Sequence, residues 1–186
     1  MPEPIPIGRR SYDWVFIVFL LMFALFSFLG DMTVAIGRPA PDSGWFMRRL
    51  IFNVYALNKD LLVLHDPVFM RVACFFAAFI FGPFQLIAAW AFYKGHDWIR
   101  TPALIYAGAL FEGSFIVIWA QIFGDKEFFE QVCPGAGFDF AAQDLVWVLA
   151  FNIWYIVIPL LLMGRLWREH PFGNSVKTRY AIPTSA

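Results

Sequence analysis

The chain has 186 residues, 60% of them hydrophobic and 20% aromatic, with 23 Phe and 8 Trp. Its mean hydropathy is +0.63, and a soluble domain averages roughly 45–50% apolar residues, so an ordinary soluble enzyme is excluded and an integral membrane protein is implied. Fourteen basic residues balance fourteen acidic ones, which argues against a nucleic-acid partner, and two cysteines are too few for a disulfide framework.

The N-terminal segment, MPEPIPIGRRSYDW, places two arginines before a long apolar run. No small-residue cleavage site follows, so a retained first helix is expected rather than a removed signal peptide. Four stretches are long enough to cross about 30 Å of hydrocarbon. They are Trp14 to Ile36, Val72 to Tyr93, Pro102 to Phe123 and Leu145 to Gly164. The first is interrupted by Asp31, the second by Gly82-Pro83. The third carries Glu112 and Gln121, the fourth Asn152 and Pro159. Pro83 and Pro159 are expected to kink their helices.

These spans predict an all-α, four-transmembrane-helix bundle. Residues 1–13 form an N-terminal segment, 14–166 the membrane domain and 167–186 a polar tail. Arg9, Arg10, Lys94, Arg100, Arg165, Arg168, Lys177 and Arg179 fall on one side. Arg38, Arg48, Arg49, Lys59, Arg71 and Lys126 fall on the other. The richer side is expected to be cytoplasmic, which puts both termini there. In the first loop, a helix from Ser43 or Gly44 to about Asn58 is expected at the membrane interface, broken near Asn53. Trp45, Arg48, Arg49 and Tyr55 suit that position. On residue type alone, Asp60 after it is a helix cap or a loop turn. Cys74 suits packing in an apolar run, and Cys133 sits in the acidic third loop.

The polar groups inside the spans carry the functional reading. A carboxylate at the centre of a membrane helix costs about 2.5–3.5 kcal/mol on insertion scales, so Asp31 and Glu112 need a reason to be there. No Lys or Arg lies within any of the four spans. A carboxyl buried without a counter-charge favours the neutral acid, and two close together titrate as a coupled pair. By helical rise, Asp31 lies roughly 25 Å and Glu112 roughly 15 Å from the starts of their helices, and Asn152 roughly 10 Å from the opposite surface. That allows all three to meet in one half of the bilayer. Asn152, Tyr155 and Pro159 share a helix face, as do Gly108, Ala109, Glu112 and Trp119, and Ala24, Ser27, Phe28 and Asp31. Such faces suit close packing, and equally a pocket. Asn152 and Tyr155 are therefore packing residues or ligand contacts. His65, His96 and His170 are scattered and make no metal site. Neither a phosphate-binding glycine loop nor a Ser-His-Asp set is visible, and no cofactor is implied.

The stretch AFYKGHDWIRTPALIY, with DLLVLHDP and GPFQLIAAWAFYKG before it, FLGD earlier still and NIWYIVIPLLL in the fourth span, resembles the EXPERA superfamily of sigma-2 receptor and emopamil-binding-type proteins. The likeness runs from about Asp13 to Trp167 in order and spacing. It implies a helical bundle around an intramembrane cavity for sterols and hydrophobic amines. Asp31 would pair with a ligand ammonium, Asp60 would brace the pocket, and Asn152 and Tyr155 would fall at pocket positions. The receptor branch has a second-helix glutamate where this chain has Ala77, and a threonine where it has Glu112, so the second carboxyl is expected on another wall of the same cavity. The resemblance leaves two functions open. One is a binding protein for a sterol, isoprenoid or hydrophobic amine, with membrane lipid around it and a homodimer as the assembly. The other is a membrane isomerase or terpenoid cyclase in which Glu112 and Asp31 serve as acid and base.

Overall fold

The computed structural model describes residues 5–37, 44–124 and 141–173. Most of the third loop, with Cys133, Asp125, Glu127, Glu130 and Asp139, lies outside the described residues, as does the tail beyond Gly173. Among the described residues the chain is helical and has no strand. Four helices are long and apolar enough to span a membrane: α1 (Asp13–Ile36), α4 (Val68–Lys94), α5 (Asp97–Phe123) and α6 (Leu145–Arg165). Two short helices, α2 (Phe46–Arg49, prolonged by the wide turn Leu50–Ala56) and α3 (Leu61–His65), fill the loop between α1 and α4.

The expected spans agree with these helices to within a residue or two, except that α5 opens five residues early through the 3₁₀ turn Asp97–Ile99 and that the start of α4 differs. That helix begins four residues earlier than expected, because Arg71 is held at its mouth by Asp66 and Pro67 supplies its N-cap. α4 ends at Gly95, whose φ of 75° gives the left-handed turn that a glycine C-cap provides. The Asp144 carboxylate caps α6 by accepting the Trp147 amide at 3.0 Å.

α1 packs along α4, and α5 along α6. Small residues on α4 and α5 (Ala88, Ala91, Ala103, Ala107) are buried between Phe16, Leu20, Phe92 and Leu162. That is how helices approach closely when lipid supplies no hydrophobic drive. The outward faces carry exposed Val15, Leu25, Phe79, Leu86, Ile105 and Leu161, the surface expected against lipid.

Two sequence expectations change. Gly82-Pro83 does not break α4. The widened π-type turn Ala77–Phe81 precedes it, and Pro83 sits in the first turn after that, where its missing N–H is harmless. The first-loop helix is not broken near Asn53, and one of its faces packs inward. It runs through the wide turn Leu50–Ala56, and Phe52 and Ala56 are buried against Val34, Val63 and Cys74.

The end of the bundle where Ile5 meets Phe172 is closed by charge. Asp13 is fully buried and pairs with Arg10 and with Arg165, the latter at 2.7 Å. Arg10 also donates to the Phe92 carbonyl at 3.1 Å and Arg165 to the Pro171 carbonyl at 2.9 Å. Both guanidinium groups face the buried Phe172 ring. Arg100, the arginine of WIRTPA, donates to the carbonyls of Leu166, Trp167 and Arg168 at 2.8–3.2 Å, placing a cation at the C-terminus of α6.

Candidate functional site

The opposite half of the bundle holds a second buried polar group of different character. Three widened turns, Ser27–Asp31 in α1, Leu50–Ala56 after α2 and Ala77–Phe81 in α4, surround it. Such bulges frequently accompany functional sites, because an extra residue per turn re-aims side chains. Asp31 ends the first of these turns. Its carboxyl is faced by the Ser27 hydroxyl from its own helix and the Cys74 thiol from α4. Among the described residues no Lys or Arg pairs with it.

Tyr55 joins this carboxyl to the rest of the site. Its hydroxyl accepts the Asn152 amide N–H at 2.9 Å and faces the Asp60 carboxylate as a donor. It also lies within electrostatic reach of Asp31. Asn152 donates in addition to the Val148 carbonyl of its own helix at 2.9 Å. Tyr155 stacks on Phe23 at 4.4 Å between ring centroids, and Asp31, Tyr106, Tyr55 and Cys74 are its electrostatic neighbours.

Asp60 is fully buried. One oxygen caps α3 by accepting the Val63 amide at 3.2 Å, and the other accepts Gln121 Nε2 at 2.9 Å. Burial pushes its carboxyl above the usual range, and the hydrogen bonds from Val63, Gln121 and Tyr55 pull partly back. The cap and the site are therefore the same residue, and both of its oxygens are engaged by the fold.

The structure thus gathers Asp31, Asp60, Asn152 and Tyr155 and leaves Glu112 out. α5 buries Ala103, Tyr106, Ala107 and Leu110. Glu112, two residues beyond Leu110 and so about 200° around the helix from it, is exposed on the outer face with Ile105, Ile116 and Trp119. The expectation that Glu112 forms another wall of the Asp31 site is corrected, and within one copy these two residues do not form an acid–base pair.

Sequence reasoning assigned Tyr55 to a membrane interface and passed over Gln85. Tyr55 carried one usable signal: a buried tyrosine hydroxyl needs a partner, and Asp60 lies nearby in sequence. The interior also holds a small apolar gap of about 10 Å³ lined by Leu20, Phe23, Tyr106, Leu110, Ile158, Pro159 and Leu162. Ligand pockets usually enclose about 300–1,000 Å³. Phe23 connects this gap to Tyr155.

Fold and site together define a four-span membrane protein with a carboxyl inside the bundle that no described cation pairs with. The profile of EXPERA (EXPanded EBP superfamily) matches residues 46–166, and the chain belongs to that superfamily. It is similar to the sigma intracellular receptor 2 of Xenopus tropicalis, 24% identical over 157 residues, which cover 83% of this chain and 86% of the relative. The sigma intracellular receptor 2 of Macaca fascicularis is 30% identical over 105 residues, 55% of this chain and 58% of the relative.

Proposed function

We propose that this chain binds a hydrophobic small molecule inside its membrane bundle, a sterol-like or isoprenoid-like molecule or a hydrophobic amine. Asp31 is its principal polar contact. Tyr155 and Phe23 form an aromatic wall, and Asn152 and Tyr55 orient the polar end. Asp60 braces the site through α3 and Gln121.

The observation that carries this reading is the Asp31 carboxyl, which no described Lys or Arg pairs with, set deep in a lipid-spanning helix while two arginines reach Asp13. An ammonium would complete the missing ion pair, and neighbouring rings would add cation–π attraction of about 0.5–2 kcal/mol. A hydroxyl would instead hydrogen-bond the carboxyl. The apolar gap beside Phe23 receives the ligand body once Phe23 and Leu162 repack to enlarge it. Both termini lie in the cytoplasm in this reading, on the side richer in basic residues.

The test compares lipid extracted from gently purified protein with the bulk membrane extract by mass spectrometry, for the natural chain and for Asp31→Asn. Enrichment of a sterol, isoprenoid or amine that disappears in Asp31→Asn supports the reading. Equal extracts from both proteins overturn it.

A further inference from the structure

Asp31 is connected across three helices to a group outside its own site. Gly82 brings α1 and α4 together: a Cβ there would stand 3.1 Å from the Phe28 ring and 3.3 Å from Ser27 Cβ. That close approach sets Gln85, less than one turn further along α4, over Ser27. Gln85 and Ser27 are each 1% exposed. The Ser27 hydroxyl lies 3.5 Å from Gln85 Oε1 and donates to it, and Gln85 Nε2 donates to the Tyr106 hydroxyl of α5 at 2.8 Å.

The orientation of the Gln85 amide, Nε2 toward Tyr106 and Oε1 toward Ser27, sets the polarity of this chain. An amide has one accepting and one donating end. With its donating end on Tyr106, Gln85 presents only its acceptor to Ser27. Ser27 has a single hydroxyl hydrogen, which Asp31 and Gln85 both claim. When Ser27 gives it to Gln85, only lone pairs face Asp31, and the contact is completed by the protonated acid. When Asp31 is charged, Ser27 must turn to the carboxylate, and Gln85 Oε1 is left buried without a donor. The other groups facing this carboxyl are Cys74 of α4, Tyr55 beside α3 and Tyr155 of α6. All are weak acids, and none is a cation.

We propose that Ser27 and Gln85 are positioning residues that set ligand specificity at Asp31, by disfavouring a cationic amine relative to a neutral ligand with a hydroxyl oxygen. This rests on Asp31 being the ligand's polar contact. Leaving a buried acceptor unsatisfied costs enough to change a binding ratio by about tenfold. Gln85→Met keeps the bulk, removes the contested acceptor and frees Ser27 to serve a charged Asp31.

The experiment uses the full chain in phosphatidylcholine nanodiscs with two probes, N,N-dimethyl-4-phenylbutylamine and 4-phenylbutan-1-ol, and reads affinity by calorimetry. The Asp31 carboxyl band is read in parallel by infrared difference spectroscopy against Asp31→Asn. In Gln85→Met the amine-to-alcohol affinity ratio is expected to rise about tenfold, and in Ser27→Ala to fall. A general packing defect would weaken both probes together and leave the ratio unchanged. The carboxyl band is expected to move to lower frequency in Gln85→Met, whether or not a probe is bound. An unmoved band overturns the relay, and a moved band with an unchanged ratio overturns the specificity assignment. If Asp31→Asn leaves both probes' affinities unchanged, the site reading itself fails. If Asp31→Asn matters and Gln85→Met does not, only the relay fails.

Discussion

Asp13 and Asp31 stand in one helix, about five turns apart, and the protein treats them in opposite ways. Asp13 is fully buried yet fully paired: two guanidinium groups reach it, and their remaining donors end on carbonyl oxygens. Asp31 has a hydroxyl and a thiol for company and no described cation. Burying any charge is expensive, and the cost is recovered only when partners are complete. The Asp13 cluster therefore reads as architecture, holding Arg10 and the Pro171–Phe172 segment to the bundle. The described set at Asp31 is incomplete, and the proposed ligand would complete it.

The contrast breaks most visibly at Asp13. Replacing it by Ala leaves Arg10 and Arg165 buried and unpaired, and removing one partner of such a cluster costs about 3–5 kcal/mol. Asp13→Ala is expected to lower the thermal unfolding midpoint in detergent sharply, as followed by tryptophan fluorescence. An unshifted midpoint would mean that the cluster is not structural.

Asp31→Asn reverses the pattern. An amide keeps the size and polar contacts of the side chain, so folding is expected to survive with its midpoint little changed. Amine affinity is expected to fall by at least about tenfold, since hydrogen-bonded charged contacts contribute about 1.5–3 kcal/mol. Equilibrium binding in nanodiscs checks this. Retained affinity would return Asp31 to a packing role.

Asp60 lies between the two cases, and its signature is pH. Burial raises its folded-state value above the unfolded one, so the folded state takes up the proton more readily. Its contribution to stability is therefore fully present below about pH 4, the unfolded value for Asp, and is lost as pH rises through the raised folded value. Asp60→Asn is expected to flatten that part of the stability–pH profile. Asp60→Ala additionally loses the α3 cap and the Gln121 bond, about 1–2 kcal/mol at a pH where Asp60 is neutral. Unfolding measured across pH separates the two effects.

What could be read from the residues follows the same division. Four spans were legible because length and apolar composition alone decide whether a helix crosses a bilayer. Asp31, Asn152 and Tyr155 were legible as polar groups in costly places, whereas Asp60 read as a helix cap or turn until the resemblance placed it at the pocket. The Arg10–Asp13–Arg165 cluster was not legible. Asp13 and Arg165 are separated by 152 positions, and each arginine looks like an ordinary flanking charge. Gln85 was hidden for a related reason. A lone amide in an apolar run becomes informative only when Ser27 and Tyr106, from two other helices, are seen to meet it.

The smallest expected effect tests the limit of sequence reading most directly. α5 is apolar on every side, so periodicity does not say which face turns inward, and Glu112 was placed in the site on chemistry alone. The structure puts it outward, with Ile105 and Trp119. A residue that faces lipid in the folded bundle also faces lipid when the helices separate within the membrane, so its insertion cost cancels from bundle stability. Glu112→Gln is therefore expected to leave both the unfolding midpoint and ligand affinity unchanged. A second copy of the chain covering this face would show as a change in oligomer size alone. A tenfold loss of ligand affinity would contradict that arrangement. It would bring Glu112 back beside Asp31 and restore the two-carboxyl site that a proton-transferring enzyme requires.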